Sequence, residues 1–168
     1  MNTHLRKPQV EDGESVWTLV KRTGVLDVNS PYYYIVMSKY FADTCVVAEK
    51  EEDIVGFASA FMQPQAADTI FLWQIAVDES QRGEGLAGDL LKEIIKRDEC
   101  QHVRFLETTI TPSNEASQAL FTKLADELDT RIQVVNSFSK KLFPDDDQEV
   151  ERLYRIGPFM PQTIKGGH

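Results

Sequence analysis

DTIFLWQIAVDESQRGEGLAG, from Asp68 to Gly88, runs an apolar segment straight into a glycine-rich turn and then into an amphipathic segment. Ile70 to Val77 is dominated by β-branched and aromatic residues, and Asp78, Glu79 and Ser80 close it with turn chemistry, so a strand is predicted. Arg82-Gly83-Glu84-Gly85-Leu86-Ala87 follows, with two glycines that let backbone N–H groups approach a ligand. The next segment carries Leu86, Leu90, Leu91, Ile94 and Ile95 at helical spacing. Unpaired N–H groups and the positive end of the helix dipole meet at that junction, which suits a pyrophosphate. The glycines alone fit equally a tight strand-to-helix turn. A dinucleotide fold would place such a loop after its first strand, whereas residues 1–67 precede this one, and the Gly-Lys-Ser/Thr of a P-loop is absent.

The chain has 168 residues, 42% of them apolar and 10% aromatic, enough for one domain with its own core. That domain is expected over residues 1–159, with a mobile tail over residues 160–168, where Pro161 and paired glycines stand. No apolar run reaches the roughly 18 residues of a membrane span, and the first residues lack the apolar core of a signal peptide. A soluble cytoplasmic protein with no membrane partner is expected. Cys45 and Cys100 form no CxxC pair, and His4, His102 and His168 stand in no motif, so neither a disulfide framework nor a metal site is suggested. Cys45 in TCVVAE reads as a reduced core residue, and the histidines as surface. A net charge of −9 argues against nucleic acid as partner and favours a cationic substrate.

Strand and helix signals alternate along the chain. Leu5 to Lys7 opens a strand, and Glu14 to Thr23 reads as a helix burying Val16, Trp17, Leu19 and Val20. A short helix covers Tyr32 to Phe41. Thr44 to Glu49 and Ile54 to Met62 form an antiparallel hairpin about the charged turn Lys50 to Asp53. After the motif, Val103 to Thr109 reads as a strand, and Pro112-Ser113-Asn114 opens a helix with Ala116, Leu120, Leu124 and Leu128 at intervals of four. Arg131 to Lys141 and Val150 to Ile156 close the sheet, separated by the acidic turn from Pro144 to Asp147.

Arg82-Gly83-Glu84-Gly85-Leu86-Ala87, in this order of elements, resembles the Arg/Gln-x-x-Gly-x-Gly/Ala signature of the Gcn5-related N-acetyltransferase superfamily. The resemblance covers nearly the whole chain and implies an α/β (α+β) fold. Its central sheet would be mixed and mostly antiparallel, splayed at the cofactor site, with helices on both sides. It implies acetyl-CoA as acetyl donor, no metal, and a homodimer. Its cofactor positions fall here on Ile75, Ala76 and Val77, on Arg82, Gly83, Glu84, Gly85, Leu86 and Ala87, on Asn114 at the start of a helix, and on Phe121. The strand edge Ile75 to Val77 would pair with the pantetheine arm and offer an N–H to the tetrahedral oxyanion. Many members place a tyrosine at the position of Phe121, as general acid for the thiolate. Phenylalanine donates no proton, so no general acid is assigned; thiols titrate near 8.5 and leave as anions. CoA is strongly anionic, so local donors such as the loop amides, Arg82 and Lys123 must act against an acidic surface.

Four further stretches narrow the resemblance: Leu26 to Ser30 with Tyr32 and Tyr34, FADTCVVAE from Phe41 to Glu49, the Trp73-Gln74 pair, and ERLYRIGP from Glu151 to Pro158. Together they resemble the L-2,4-diaminobutyrate acetyltransferases of ectoine biosynthesis. What this implies is acetylation of the γ-amino group, with a substrate site of Asp27, Asn29, Tyr32, Tyr34, Trp73, Gln74 and Glu151. Carboxylates and aromatic faces suit a substrate with two ammonium groups. An alkyl ammonium titrates near 10, so the attacking nitrogen must lose a proton; Glu151 is the expected base, directly or through water, with Asp27 positioning the other amine. Read residue by residue, plainer roles exist. Asp27 also suits a helix cap, Trp73 a core position, and Glu151 an edge-strand surface charge. Tyr32, Tyr33 and Tyr34 cannot all face one way. The rival readings are acetylation of another small amine or a polyamine, and an acyl-CoA-binding module without turnover.

Overall fold

In this computed structural model, residues 3–24, 26–144 and 149–165 are described. Thus most of the expected acidic turn, residues 145–147, and the tail end with His168 lie outside the described residues. The strands are β1 (His4–Arg6), β2 (Val46–Lys50), β3 (Asp53–Gln63), β4 (Ala66–Val77), β5 (Phe105–Ile110), β6 (Ile132–Phe138) and β7 (Glu151–Ile156). The helices are α1 (Gly13–Thr23), α2 (Pro31–Tyr40), α3 (Leu86–Ile95), α4 (Glu115–Glu127) and the single turn α5 (Gln162–Lys165), where a mobile tail was expected. Hydrogen-bonded strands follow the order β1-β2-β3-β4-β5-β7-β6. The pairs β1–β2, β2–β3, β5–β7 and β6–β7 are antiparallel. No helix among the described residues is long and apolar enough to cross a membrane.

Two compact units divide the chain, one of Met1–Phe61 with Leu72–Cys100, the other of Met62–Phe71 with Gln101–His168. In the first, Val16, Leu19 and Val20 of α1 meet Tyr34 of α2, Val47 of β2, Ile54 and Phe57 of β3 and Ala76 of β4 in one core cluster. Trp17 packs at its margin, only partly buried. Helix α2 starts where Ser30 accepts a hydrogen bond from the Tyr33 N–H and Pro31 takes the first helical position. The hairpin between β2 and β3 is tighter than expected. Lys50 and Asp53 pair, leaving only Glu51 and Glu52 in the turn at φ 52° and 71°. Positive φ at both central residues is what a type I′ two-residue turn demands, although asparagine and glycine are its usual occupants.

Helix α3 buries all five apolar positions expected of it, Leu86, Leu90, Leu91, Ile94 and Ile95. Gly56 on β3 makes the close approach possible, since a Cβ there would stand 3.1 Å from Ala48 and 3.3 Å from both Leu86 and Leu90. Just past the helix, buried Arg97 donates through Nη1 to the carbonyl oxygens of Ala42, Asp43 and Cys45. It thereby fastens the entry to β2 with charge-assisted bonds.

In the second unit β7 lies between β5 and β6, so the last strand separates its two predecessors. Glu107 on β5 sits opposite Arg155 on β7, whose Nη1 donates to its carboxylate at 2.8 Å. The Gln63 amide donates to the other carboxylate oxygen. The Arg155 guanidinium also stacks 3.9 Å from the Phe105 ring. On α4 the buried residues are Phe121, Leu124, Ala125 and, at the cap, Leu128, while Ala116 is exposed and Leu120 half-buried. Expecting a repeat of four misplaced this face. Each four-residue step turns about 40° past a full circle, so Ala116, three steps before the buried Leu128, lies off the stripe.

Both cysteines are free and buried. Burial pushes the Cys45 thiol up to about 12 and that of Cys100 up to about 11. The thiolate is the nucleophile, so neither reacts readily at neutral pH. A thiol-specific disulfide reagent at pH 8 is expected to titrate no thiol in the native protein and two after denaturation; prompt native reaction of either contradicts this packing.

Candidate active site

The glycine loop starts from a fixed point. Backbone N–H of Asp78 donates to the Val55 carbonyl at 2.8 Å, and its carboxylate accepts from the Ser80 N–H and from Arg22 of α1. Hydrogen bonding from Ser80, then the Arg22 guanidinium, holds this carboxyl below the usual carboxylate range. Glu79–Gln81 make a 3-10 turn, after which Gly83 and Gly85 take φ values of 83° and 78°. Those are left-handed conformations that side chains with a Cβ avoid. A Cβ at either glycine would find nothing within 4 Å, so the loop lies open above both. Gly85 is the N-cap of α3 and no side chain caps the helix. The first N–H groups, from Leu86, Ala87 and Gly88, have no intrahelical acceptor. Arg82, Gly83, Glu84 and Gly85, which lead into these amides, are exposed. This arrangement fits the pyrophosphate of an acyl-CoA.

An open pocket of about 1020 Å³ flanks the loop, with Thr18 and Arg22, Val55, Asp78 and Arg82 on its walls. Glu14, Glu52, Asp53 and Glu79 line it too, which makes it hostile to a phosphate. The uncapped amides of Leu86, Ala87 and Gly88 present donors rather than carboxylates. Among the described residues no group of three His, Cys, Asp or Glu side chains is placed to hold a metal ion.

On β4, Trp73 is 50% exposed while Gln74 is only 9% exposed, an inversion of the ordinary preferences of tryptophan and glutamine. Both ends of the Gln74 amide are engaged. Its Oε1 accepts from the Tyr34 hydroxyl at 2.9 Å, and its Nε2 donates to the Asp27 carbonyl at 2.8 Å. The Asn29 N–H donates to the Tyr34 hydroxyl at 3.4 Å. Asp27, Asn29, Tyr34 and Gln74, four of the residues singled out from the sequence, thus form one connected network. Burial pushes the Tyr34 phenol above its ordinary value, keeping it a donor. Tyr34 is fully enclosed and reaches the network only through its hydroxyl, whereas Tyr32 is 73% exposed. Asp27 is exposed and does not cap α2, because Ser30 does. Glu151 opens β7 opposite Phe138, half-buried, and β7 has neighbours on both sides, so it is no edge-strand charge.

The remaining expected positions fall within local structure. Ile75 and Val77 are half-buried and Ala76 buried at the end of β4. Asn114 is the N-cap of α4, its side-chain oxygen accepting from the Ser117 N–H at 3.1 Å. Phe121 is buried on that helix, and Lys123 is exposed. Sequence reasoning passed over Arg22, whose charge has no local partner in the sequence, and Tyr33, hidden among three consecutive tyrosines.

Residues 14–125 match the acetyltransferase (GNAT) family. The L-2,4-diaminobutyric acid acetyltransferase of Halalkalibacterium halodurans is 57% identical over 155 residues, covering 92% of this chain and 82% of that one. That of Marinococcus halophilus is 55% identical over 153 residues, covering 91% and 88%. The chain belongs to the acetyltransferase (GNAT) family, among the L-2,4-diaminobutyric acid acetyltransferases. Its backbone is similar, at a TM-score of 0.90 and 44% identity, to the diaminobutyrate acetyltransferase EctA of Paenibacillus lautus, covering 95% of this chain and 96% of that one. That protein was solved in complex with its substrate L-2,4-diaminobutyric acid and coenzyme A. As a GNAT protein this chain is an acetyl-CoA-dependent N-acetyltransferase, and the uncapped start of α3 is where the family signature falls.

In this acetyltransferase Gln74→Leu takes away the acceptor of the Tyr34 hydroxyl proton and the side-chain donor to the Asp27 carbonyl. It is expected to cost about 1–3 kcal/mol by urea denaturation, with part recovered in Gln74→Leu/Tyr34→Phe. An unchanged midpoint in Gln74→Leu contradicts the network.

Proposed function

We propose that this chain transfers the acetyl group of acetyl-CoA to the γ-amino nitrogen of L-2,4-diaminobutyrate, giving N4-acetyl-L-2,4-diaminobutyrate and CoA. This is the second step of ectoine biosynthesis. What carries the reading is the similarity along nearly the whole chain to an enzyme solved with that amino acid and coenzyme A. The bonded set of Asp27, Asn29, Tyr34 and Gln74 beside an exposed Trp73 supports it. The protein acts as one catalytic domain over residues 1–159, in the cytoplasm and as a homodimer, in keeping with its family.

Acetyl-CoA, when bound, supplies an acetyl group activated as a thioester. The amides from Arg82 to Ala87 and the Arg82 guanidinium hold the pyrophosphate, and the backbone from Ile75 to Val77 aligns the pantetheine arm. Asn114 and Phe121 stand on the cofactor side. The Asp27 carboxylate meets one ammonium group of the substrate, and the Trp73 face together with Tyr32 offers cation–π contact. Asn29, Tyr34 and Gln74 keep the Asp27 loop in place. Glu151 removes the proton from the γ-ammonium as the nitrogen attacks, because the neutral amine alone is nucleophilic. A backbone N–H at Ile75 to Val77 stabilises the charge that develops on the acetyl oxygen. The thiolate departs without a proton from Phe121. A net charge of −9 favours approach of a cationic amine.

Thiol release from acetyl-CoA is measured with L-2,4-diaminobutyrate, ornithine, lysine, putrescine and a peptide, and the product is read by NMR. Strong preference for diaminobutyrate with acetyl on the γ nitrogen is expected; preference for another amine defeats the substrate assignment. Glu151→Gln and Asp27→Asn should each lower kcat/KM for diaminobutyrate by about 100-fold or more, with the acetyl-CoA KM within about twofold. Arg82→Ala should raise the acetyl-CoA KM about tenfold, since it removes a charge-assisted contact.

A further inference from the structure

We propose that Tyr33, tethered through its hydroxyl to Ser59, is a positioning residue that sets the orientation of the Trp73 indole against the substrate's ammonium group. The proposal rests on the reading of Trp73 as a wall of the amine site. Trp73 is half exposed, so core packing cannot hold its ring from every side. The Tyr33 ring meets it at a centroid distance of 4.4 Å and an interplanar angle of 66°. Such a T-shaped contact is directional, because the positive edge of one ring seeks the negative face of the other. It fixes tilt as well as distance.

Tyr33 is itself held at two points. Its ring makes a second T-shaped contact with Tyr34 at 4.8 Å, and Tyr34 in turn meets Phe57 at 5.8 Å. Its hydroxyl lies 2.7 Å from Ser59 Oγ, and Ser59 on β3 is fully buried. Burial pushes the Tyr33 phenol well above its ordinary value, so this bond persists at any working pH. A phenylalanine would fill the same volume. The hydroxyl adds a fixed rotation of the ring, and burying it without its partner would be unfavourable. Ser59, Tyr33 and Trp73 thus link β3, α2 and β4 into one brace ending at the exposed indole.

Two readouts test this. In kinetics, Tyr33→Phe and Ser59→Ala should each raise the KM for L-2,4-diaminobutyrate about fivefold, with kcat and the acetyl-CoA KM within about twofold. The double variant Tyr33→Phe/Ser59→Ala, which leaves no orphaned hydroxyl, should regain stability but keep the raised KM; recovery of both overturns the proposal. In a Trp73→Ala background Tyr33→Phe should have no further effect on KM, and an undiminished effect there overturns action through Trp73. In fluorescence, Trp73 is isolated by Trp17→Phe, since the chain has only two tryptophans. Tyr33→Phe should then add a fast component to the Trp73 anisotropy decay, and an identical decay overturns the brace. Anisotropy needs no turnover, so it decides the coupling even if the wild-type protein acetylates a different amine, a result that defeats the substrate reading alone.

Discussion

A primary amide buried away from water must find partners for both its oxygen and its nitrogen, and the Gln74 amide finds them on two different segments. Tyr34 of α2 donates to the oxygen, and the Asp27 carbonyl of the preceding loop accepts from the nitrogen. These bonds set which face of β4 turns inward. Alternation along a strand then leaves no choice for its neighbour: with Gln74 in, Trp73 stands out. A slip of one residue would bury the indole and strand an amide in water, so the register is strongly specified. The Asp27 loop is tied to the same strand by the same amide.

Three residues beyond Gln74 the strand ends, and the chain reaches Asp78, anchored to Val55, Ser80 and Arg22. From that anchor the left-handed glycines deliver the uncapped start of α3. One strand thus leads from an exposed indole to an uncapped helix start within a dozen positions. Acidity is the tension in this design. A carboxylate-rich surface favours a diamine and opposes a polyphosphate, and the balance falls to fixed amides whose donors no side chain occupies.

Periodicity made much of the fold legible. The face of α3 lay fully in the spacing from Leu86 to Ile95, and the helix start at Asn114 was visible from its capping chemistry. Non-local facts were less accessible. Nothing near Glu151 announces that β7 enters between β5 and β6, because that choice depends on pairings made across distant sequence. Glu107 looked like one polar residue in a strand, and its bonds come from Arg155 and Gln63, far apart in the chain. Among the three tyrosines, composition offers no means of telling the enclosed Tyr34 and the bracing Tyr33 from the exposed Tyr32. Taken singly, Trp73 suits the core and Asp27 a cap, but the structure leaves the indole half exposed and caps α2 with Ser30.

On the proposed reading, β4 presents a diamine and an acyl-CoA to one another along a single strand. A crystal structure of the protein with L-2,4-diaminobutyrate and CoA tests it most directly. The expected result is the amino acid against the Trp73 indole, one ammonium group at Asp27, and the γ nitrogen about 3–3.5 Å from the place of the thioester carbon. An amino acid bound away from Trp73, or one turned so that its α nitrogen faces the thiol, would contradict it.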